Sequence, residues 1–448
     1  DKDSYIIRSK AQKVVWDVLT YYEKVWIPGK AWLRSKAIEE TSKIIKHEDR
    51  STKFICIGPV NKTLNMLVAY FDDPNGEHLR EHRTRIKDYL WLAEDGMKMQ
   101  GYNGSQLWDT AFISQAITSC GSLTEWHKET LRSAYGYLEM TQVREDVPEL
   151  ERHYRHISKG AWPFSTVDHG WPIADCTGEG LKAVLSLFST FNREDLAPFM
   201  SDERLFDAVN VLISLWNKAS GGFATYELTR GPELLEFLNP SEVFSDIMID
   251  YPYVELTSSA LTSLVAFQSM FPTHRADEIS EIIRAGIAFI KRIQLKDGSW
   301  YGSWGVCFTY GTWFGISALC ATGHSIHTSD ELVLACDFLL SKQRPDGSWS
   351  ENYRSCTDLV YSEAPEGGQI VQTSWALISL CEAQWPDKDP LHRAAEFLMN
   401  NQEQSGDWPQ QLISGVFNKS TMISYSNYRL AFPIWALGLY RTKVLGRE

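Results

Sequence analysis

No stretch of this chain reaches the roughly 18 consecutive apolar residues of a membrane span, so no crossing helix is expected. The opening Asp1-Lys2-Asp3-Ser4 has no apolar leader core and no initiator methionine, so a piece of a longer protein is expected. Basic charge is also short. Against 57 Asp and Glu stand 44 Lys and Arg, a net charge of −13, which argues against a nucleic-acid partner because phosphate binding wants clustered cations. The eight cysteines include no C-x-x-C pair, and several fall inside apolar helical patterns; reduced, buried thiols in an intracellular protein are expected. His153-Tyr154-Arg155-His156 has no carboxylate or cysteine at ligand spacing and reads as a surface loop, so no metal site is expected.

What the chain has in excess is aromatic surface, with 17 Trp, 19 Tyr and 20 Phe, and a repeat that organises part of it. Ile283, Gly286, Ile287 and Ile290 precede Gln294-x-x-x-Gly298-x-Trp300. Leu332, Ala335, Cys336, Leu339 and Leu340 precede Gln343-x-x-x-Gly347-x-Trp349. Leu391, Ala394, Ala395, Leu398 and Met399 precede Gln402-x-x-x-Gly406-x-Trp408. Weaker copies hold Asn217, Gly221 and Phe223, and Gln142 with Gly160-Ala161-Trp162. The apolar spacing is helical and the Gly-x-Trp pieces are turns, so each unit is a helix–turn–helix that cannot bury its apolar face alone.

More apolar helices are expected near 106–119, 175–189, 254–270, 306–322, 371–384 and 421–440. More polar partners are expected near 78–94, 131–142, 203–216, 279–293, 331–342 and 391–401. Six outer–inner pairs make an all-α (α/α)6 barrel, with the apolar set inside; 5–25, 31–47 and 61–73 are read as lead-in helices. The start of one inner helix stands out: Ala174-Asp175-Cys176-Thr177-Gly178-Glu179-Gly180, after the aromatic lead-in Trp162 to Pro172. Asp175 or Thr177 as an ordinary N-cap is one reading. The other is an acid, since burial beside aromatic surface raises a carboxyl pKa, although a helix N-terminus works against it. Trp108, Asp175, Tyr226, Trp304 and Phe417 all fall at or near inner-helix starts, hence at one end of the barrel. One acid facing aromatic faces suits protonation followed by cation stabilisation; aromatic core filling is the plainer alternative.

These residues carry a resemblance. Asp175-Cys176-Thr177-Gly178-Glu179 resembles the D-C-T-A-E signature of oxidosqualene cyclases, the lanosterol synthase family of triterpene cyclases, and the Gln-x-x-x-Gly-x-Trp repeats resemble that family's QW motifs. The segments from Met97 to Thr110, Gly302 to Gly311 and Gly415 to Ser420 also match. The resemblance implies that Asp175 protonates the epoxide of 2,3-oxidosqualene, that Cys176 hydrogen-bonds the acid, and that Glu179 belongs to the network that reprotonates it. Trp108, Phe164, Tyr226, Trp304 and Phe417 match cavity aromatics, and Tyr425 a position near the product-determining end. It implies a monomer on the endoplasmic reticulum membrane or a lipid droplet, taking its small-molecule substrate from the membrane surface, with no cofactor. It also implies that 1–75 are lead-in helices and a junction to a missing amino-terminal domain, and 76–448 the catalytic barrel.

Three departures from the family pattern stand out. Gly178 replaces the signature alanine, which reads as tolerable but looser in a helix; Leu256 replaces a second supporting cysteine; and Thr421-Met422 stand where sterol-forming members read Cys-Ala. Two other readings stay open: an (α/α)6 glycoside hydrolase, with Glu255 as the second carboxylate, and a non-catalytic helical-repeat scaffold.

Overall fold

The computed structural model describes residues 10–93, 96–241 and 245–446. Six helices form the inner ring: Gln106–Thr118, Ala174–Thr190, Val254–Met270, Phe308–Ala321, Ile370–Glu382 and Tyr428–Leu439. Each packs on the next, and the sixth returns to the first, so the ring closes. Inner helices are apolar on nearly every side because both faces are covered; Phe308–Phe314 are all buried. Outer helices carry one apolar stripe. In Ala276–Ile293 the buried residues are Ile279, Ile282, Gly286, Phe289 and Ile290, spaced three and four apart. Lys128–Thr141, Asp202–Ser214, Asp330–Lys342 and Asp389–Asn400 clothe the ring in the same way.

The repeat has a uniform physical basis. The indole Nε1–H groups of Trp162, Trp300, Trp349 and Trp408 donate to Leu138, Ile290, Leu339 and Leu398 carbonyls, at 2.7–2.8 Å. These are carbonyls at the ends of outer helices, which lack helical partners of their own. Gln142, Gln294, Gln343 and Gln402 donate across the turn to the Gly160, Gly298, Gly347 and Gly406 carbonyls. Gln294 and Gln343 also reach Glu331 and Pro390 carbonyls on the next outer helix, at 2.8 Å. The repeat is therefore a clamp between neighbouring units. Gly298 and Gly347 sit at φ +89° and +86°, and a Cβ there would fall 2.2 and 2.5 Å from the Leu334 and Arg393 carbonyl oxygens. Both conformation and space demand glycine.

Two expected helices differ. The one read over 78–94 ends at Thr84, and Ile86–Tyr89 leads into strand Leu90–Ala93, antiparallel to Gly96–Met99 with Leu90 opposite Met99. Tyr89 is the cause: its ring is buried and its hydroxyl donates 2.8 Å to the Ile55 carbonyl, drawing the chain off the helical path. The short helix packs on Pro59–Asp72. The helix read over 421–440 begins only at Tyr428, because Gly415–Phe417 and Thr421–Ile423 form a hairpin. Its turn holds Asn418 and Lys419 at φ 45° and 71°. Lead-in helices run over Lys10–Lys24, Lys30–Ser51 and Pro59–Asp72, and residues 5–9 of the first expected helix lie outside the described residues.

Candidate active site

At the end where the inner helices begin, a small cavity opens among aromatic rings. Trp108 comes from the first turn of the first inner helix, Tyr310 from that of the fourth, and Tyr428 starts the sixth. Tyr102, Phe164, Ile173, Thr225, Tyr226, Trp304 and Tyr425 come from the connections that precede inner helices. Asp175 is the one carboxyl on this border among the described residues.

Neither residue proposed as a cap takes that role. Ile173 is the N-cap of Ala174–Thr190, and the Thr177 hydroxyl instead accepts the Trp162 backbone N–H at 3.2 Å. Thr257, Thr312 and Thr373 accept the Phe223, Trp300 and Trp349 N–H groups in the same manner. Thr177 is thus part of the repeat, and Asp175 is left to the cavity.

Burial pushes the Asp175 carboxyl up to about 7; hydrogen bonds from the Cys176 N–H, 2.8 Å from Oδ1, and from the Cys176 thiol oppose this, and the charges of Glu179 and Glu255 add to it. The desolvation outweighs the favourable helix terminus, so the group keeps its proton near neutrality. Both bonds come from Cys176. Leu256, wholly buried near the start of the third inner helix, has no polar atom to offer.

Glu179 lies one turn beyond. It accepts from Gln115 Nε2 at 2.8 Å and Ser259 Oγ at 2.7 Å, and pairs with Lys182 Nζ at 2.8 Å. Those partners tie three successive turns of the barrel together, and its link to Asp175 is through charge.

The lining rings support one another. Trp108 Nε1–H donates to the Tyr428 hydroxyl at 2.6 Å, and Tyr428 stacks on Tyr425 with centroids 4.4 Å apart. Phe164 stands 4.9 Å from Tyr102 and 5.9 Å from Trp108. The Tyr102 and Tyr226 hydroxyls hydrogen-bond each other across the cavity. Phe417 does not border the cavity. It stands behind Trp304, 5.2 Å between centroids, because it belongs to the hairpin and not to an inner-helix start. Tyr102, Tyr310 and Tyr428 were not singled out from the sequence. Tyr310 and Tyr428 had a signal there, since each lies in the first turn of an inner helix.

Buried acids hold this wall in place. Glu255 Oε1 accepts the Ser303 and Trp304 N–H groups at 2.5 and 2.9 Å, and burial pushes its carboxyl up to about 7. Asp250, raised by burial to about 6, accepts the Tyr226 N–H at 2.5 Å. Glu351 receives the first N–H groups of the fourth inner helix, Phe308 and Thr309, each at 2.9 Å. His169 is buried and its pKa is lowered by desolvation to about 4; its Nε2 lies 3.1 Å from the Ile57 carbonyl and its ring 5.5 Å from Tyr102. It is a neutral support behind the wall.

Residues 104–442 match the squalene–hopene cyclase C-terminal domain. The chain is 50% identical over 442 residues to cycloartenol synthase of Dictyostelium discoideum, covering 98% of this chain and 61% of that one. It is 47% identical over 446 residues to lanosterol synthase of Mus musculus, covering 98% and 60%. Alpha-onocerin synthase of Lycopodium clavatum is 43% identical over 455 residues, covering 100% and 59%. The chain thus spans about three fifths of the length of these relatives. Among solved structures, ent-copalyl diphosphate synthase from Streptomyces platensis superposes with TM-score 0.52 at 15% identity, covering 82% of this chain and 55% of that one. A type II terpene cyclase from Scytonema superposes with TM-score 0.51 at 15% identity, covering 86% and 99%. Both share the helical-barrel fold.

Proposed function

The chain belongs to the squalene–hopene cyclase C-terminal domain family, and from that premise we propose that it is the acid-bearing part of an oxidosqualene cyclase. The observation that carries this is Asp175: a carboxyl held protonated near neutrality by burial, alone among aromatic rings at the mouth of a closed helical barrel. The Asp175 O–H gives its proton to the epoxide oxygen of 2,3-oxidosqualene as the C–O bond breaks with its electron pair going to oxygen. The resulting cation is attacked by successive π bonds, and a final proton loss leaves an isomeric polycyclic alcohol, lanosterol or a related triterpene. Trp108, Phe164, Tyr226, Trp304 and Tyr425 offer π faces to the migrating charge, as do Tyr102, Tyr310 and Tyr428; Phe417 acts by backing Trp304. Cys176 orients the acid and steadies its conjugate base. Glu179 belongs to the path by which the proton is replaced.

An apolar substrate and an exposed apolar surface support a membrane partner. No described helix is long and apolar enough to cross a bilayer. The segment that carries Asp250 exposes the apolar side chains Leu234, Phe237, Leu238, Ile247 and Met248, which suit contact with a bilayer surface. We place the protein as a monotopic monomer on the endoplasmic reticulum membrane or a lipid droplet, with 76–448 as the catalytic barrel and 1–75 as the junction to a further domain. The glycoside hydrolase reading loses support because Glu255 is buried off the cavity border and committed to Ser303 and Trp304.

The test is Asp175→Asn in the active protein incubated with 2,3-oxidosqualene, with apolar products extracted. Cyclisation should vanish while the fold is kept. Activity within tenfold of the parent, about 1.4 kcal/mol of barrier, overturns the assignment.

A further inference from the structure

A second group of chemically active side chains lies outside the cavity. Asp49 is near the end of the Lys30–Ser51 helix, Cys56 is on the loop that follows, and His78 and His82 are one turn apart on Glu77–Thr84. Ligand atoms of Asp49, Cys56 and His82 all lie within 4.8 Å of one another, and all three residues are wholly buried. His78 Nε2 is 2.8 Å from Asp49 Oδ2, and Cys56 Sγ is 3.3 Å from Oδ1. His82 Nε2 is 3.1 Å from Oδ2, an ion-pair distance without the alignment of a full hydrogen bond, so this buried imidazole nitrogen faces the cluster only partly satisfied. A buried nitrogen so weakly satisfied gains from a better-aligned ligand.

We propose that Asp49, Cys56, His78 and His82 form a tetrahedral site for a divalent transition cation of the zinc type. One carboxylate, one thiolate and two imidazoles, two of them four residues apart on one helix, are a donor set such ions take. Bonds of about 2.0–2.3 Å put ligand atoms roughly 3.3–3.8 Å apart; Asp49, Cys56 and His82 are already grouped within 4.8 Å, and His78, paired with the same carboxylate oxygen as His82, shifts to complete the four. Asn65 Nδ2, 2.9 Å from Asp49 Oδ1, steadies that carboxylate from behind.

Lys62 Nζ lies 2.9 Å from His82 Nδ1, 2.9 Å from the His82 carbonyl and 2.6 Å from that of Phe54. These bonds fix the His82 ring so that its Nε2 faces the cluster. The ion would clip two helices and their loop together. From that loop the Ile57 carbonyl meets His169, whose ring faces the cavity residue Tyr102. The site is thereby a brace for the wall of the cavity, whatever reaction occurs there.

The test is titration of the purified, chelator-stripped protein with Co2+ as a visible probe, followed by displacement with Zn2+. One equivalent should bind with a tetrahedral visible spectrum and a thiolate-to-cobalt band that disappears in Cys56→Ser. His78→Ala, at a partly exposed position, keeps the fold and should weaken binding at least ~10-fold. Zinc should also raise the thermal midpoint of the parent, and raise that of His78→Ala by less at the same concentration. Absence of a cobalt spectrum, an unchanged midpoint with zinc, or uptake indifferent to both substitutions would each overturn the site, leaving a hydrogen-bonded hub around Asp49.

Discussion

Asp175 owes its chemistry to a balance that its own peptide neighbours would tip the other way. A carboxyl at a helix start, bonded by the Cys176 N–H, would ordinarily be a stronger acid than usual; burial among Trp108, Tyr310 and Tyr428 reverses this, to about 7. In the proposed reaction the initiating form is the protonated one. The single-turnover rate of initiation should therefore be level below about pH 6 and fall by a factor approaching ten per unit above about 7. Because the Glu255 charge adds to the upward shift, Glu255→Gln should move that inflection to lower pH while keeping an oxygen for the Ser303 and Trp304 amides. A shift to higher pH, or a rate that climbs with pH, would contradict this account of the acid.

Between elements, the decisive residue is Gly178. The sequence suggested that glycine in place of the signature alanine loosens the helix but is tolerated. The packing shows why it is there: a Cβ would lie 2.6 Å from the Ser259 carbonyl oxygen and 2.8 Å from its carbon, on the backbone of the third inner helix. The second and third inner helices meet more closely here than an alanine allows. Gly178→Ala should cost roughly 1–3 kcal/mol by overpacking, despite its better helix propensity, and denaturant unfolding will read the sign directly. A more stable variant would mean that the helices separate freely. The Gln–Gly–Trp clamps were legible in the sequence because each is local, with Gln and Trp flanking one turn. The hairpin at 415–423 was not, since its three-residue strands pair outside the repeat and precede an apolar helix without a break in hydrophobicity.

On the scale of the molecule, titration couples to folding. Asp175 and Glu255 both have folded pKa values near 7, above the usual carboxylate range, so the folded state holds these protons longer than the unfolded chain. Their contribution to stability is full below about pH 4 and is lost as pH rises through about 7. The stability of Asp175→Asn relative to the parent should thus improve from about pH 4 to 7 and then level off, as chemical unfolding at several pH values will show. The lead-in helices raise a separate issue. Trp26, Trp32, Leu33, Ile38, Leu64 and Phe71 are exposed, a broad apolar face on the proposed junction. Residues 1–448 expressed alone should need detergent and give single-ring alcohols or no product from oxidosqualene, because water entering an incompletely walled cavity quenches cations. Adding the remaining portion of a relative should restore cyclisation. A clean polycyclic product from the isolated chain would show that portion to be dispensable.

By itself the sequence determined the barrel. The inner and outer helices differ in apolar periodicity, and the turns repeat, both properties of a few adjacent residues. It also pointed to Asp175 and to most of the aromatics that border the cavity, because inner-helix starts necessarily converge at one end. Only the tertiary structure decided which aromatics face the cavity and which stand behind. Phe417 and Trp304 are alike in sequence, and the hairpin alone puts one behind the other. Only the tertiary structure, too, brought Asp49, Cys56, His78 and His82 together. Three segments supply them, with no ligand spacing that reaches across segments, and they meet because the Tyr89 anchor at Ile55 folds the 77–84 helix back over the loop that bears Cys56. Local periodicity writes helices into a chain; the assembly of distant side chains is settled by how those helices are packed.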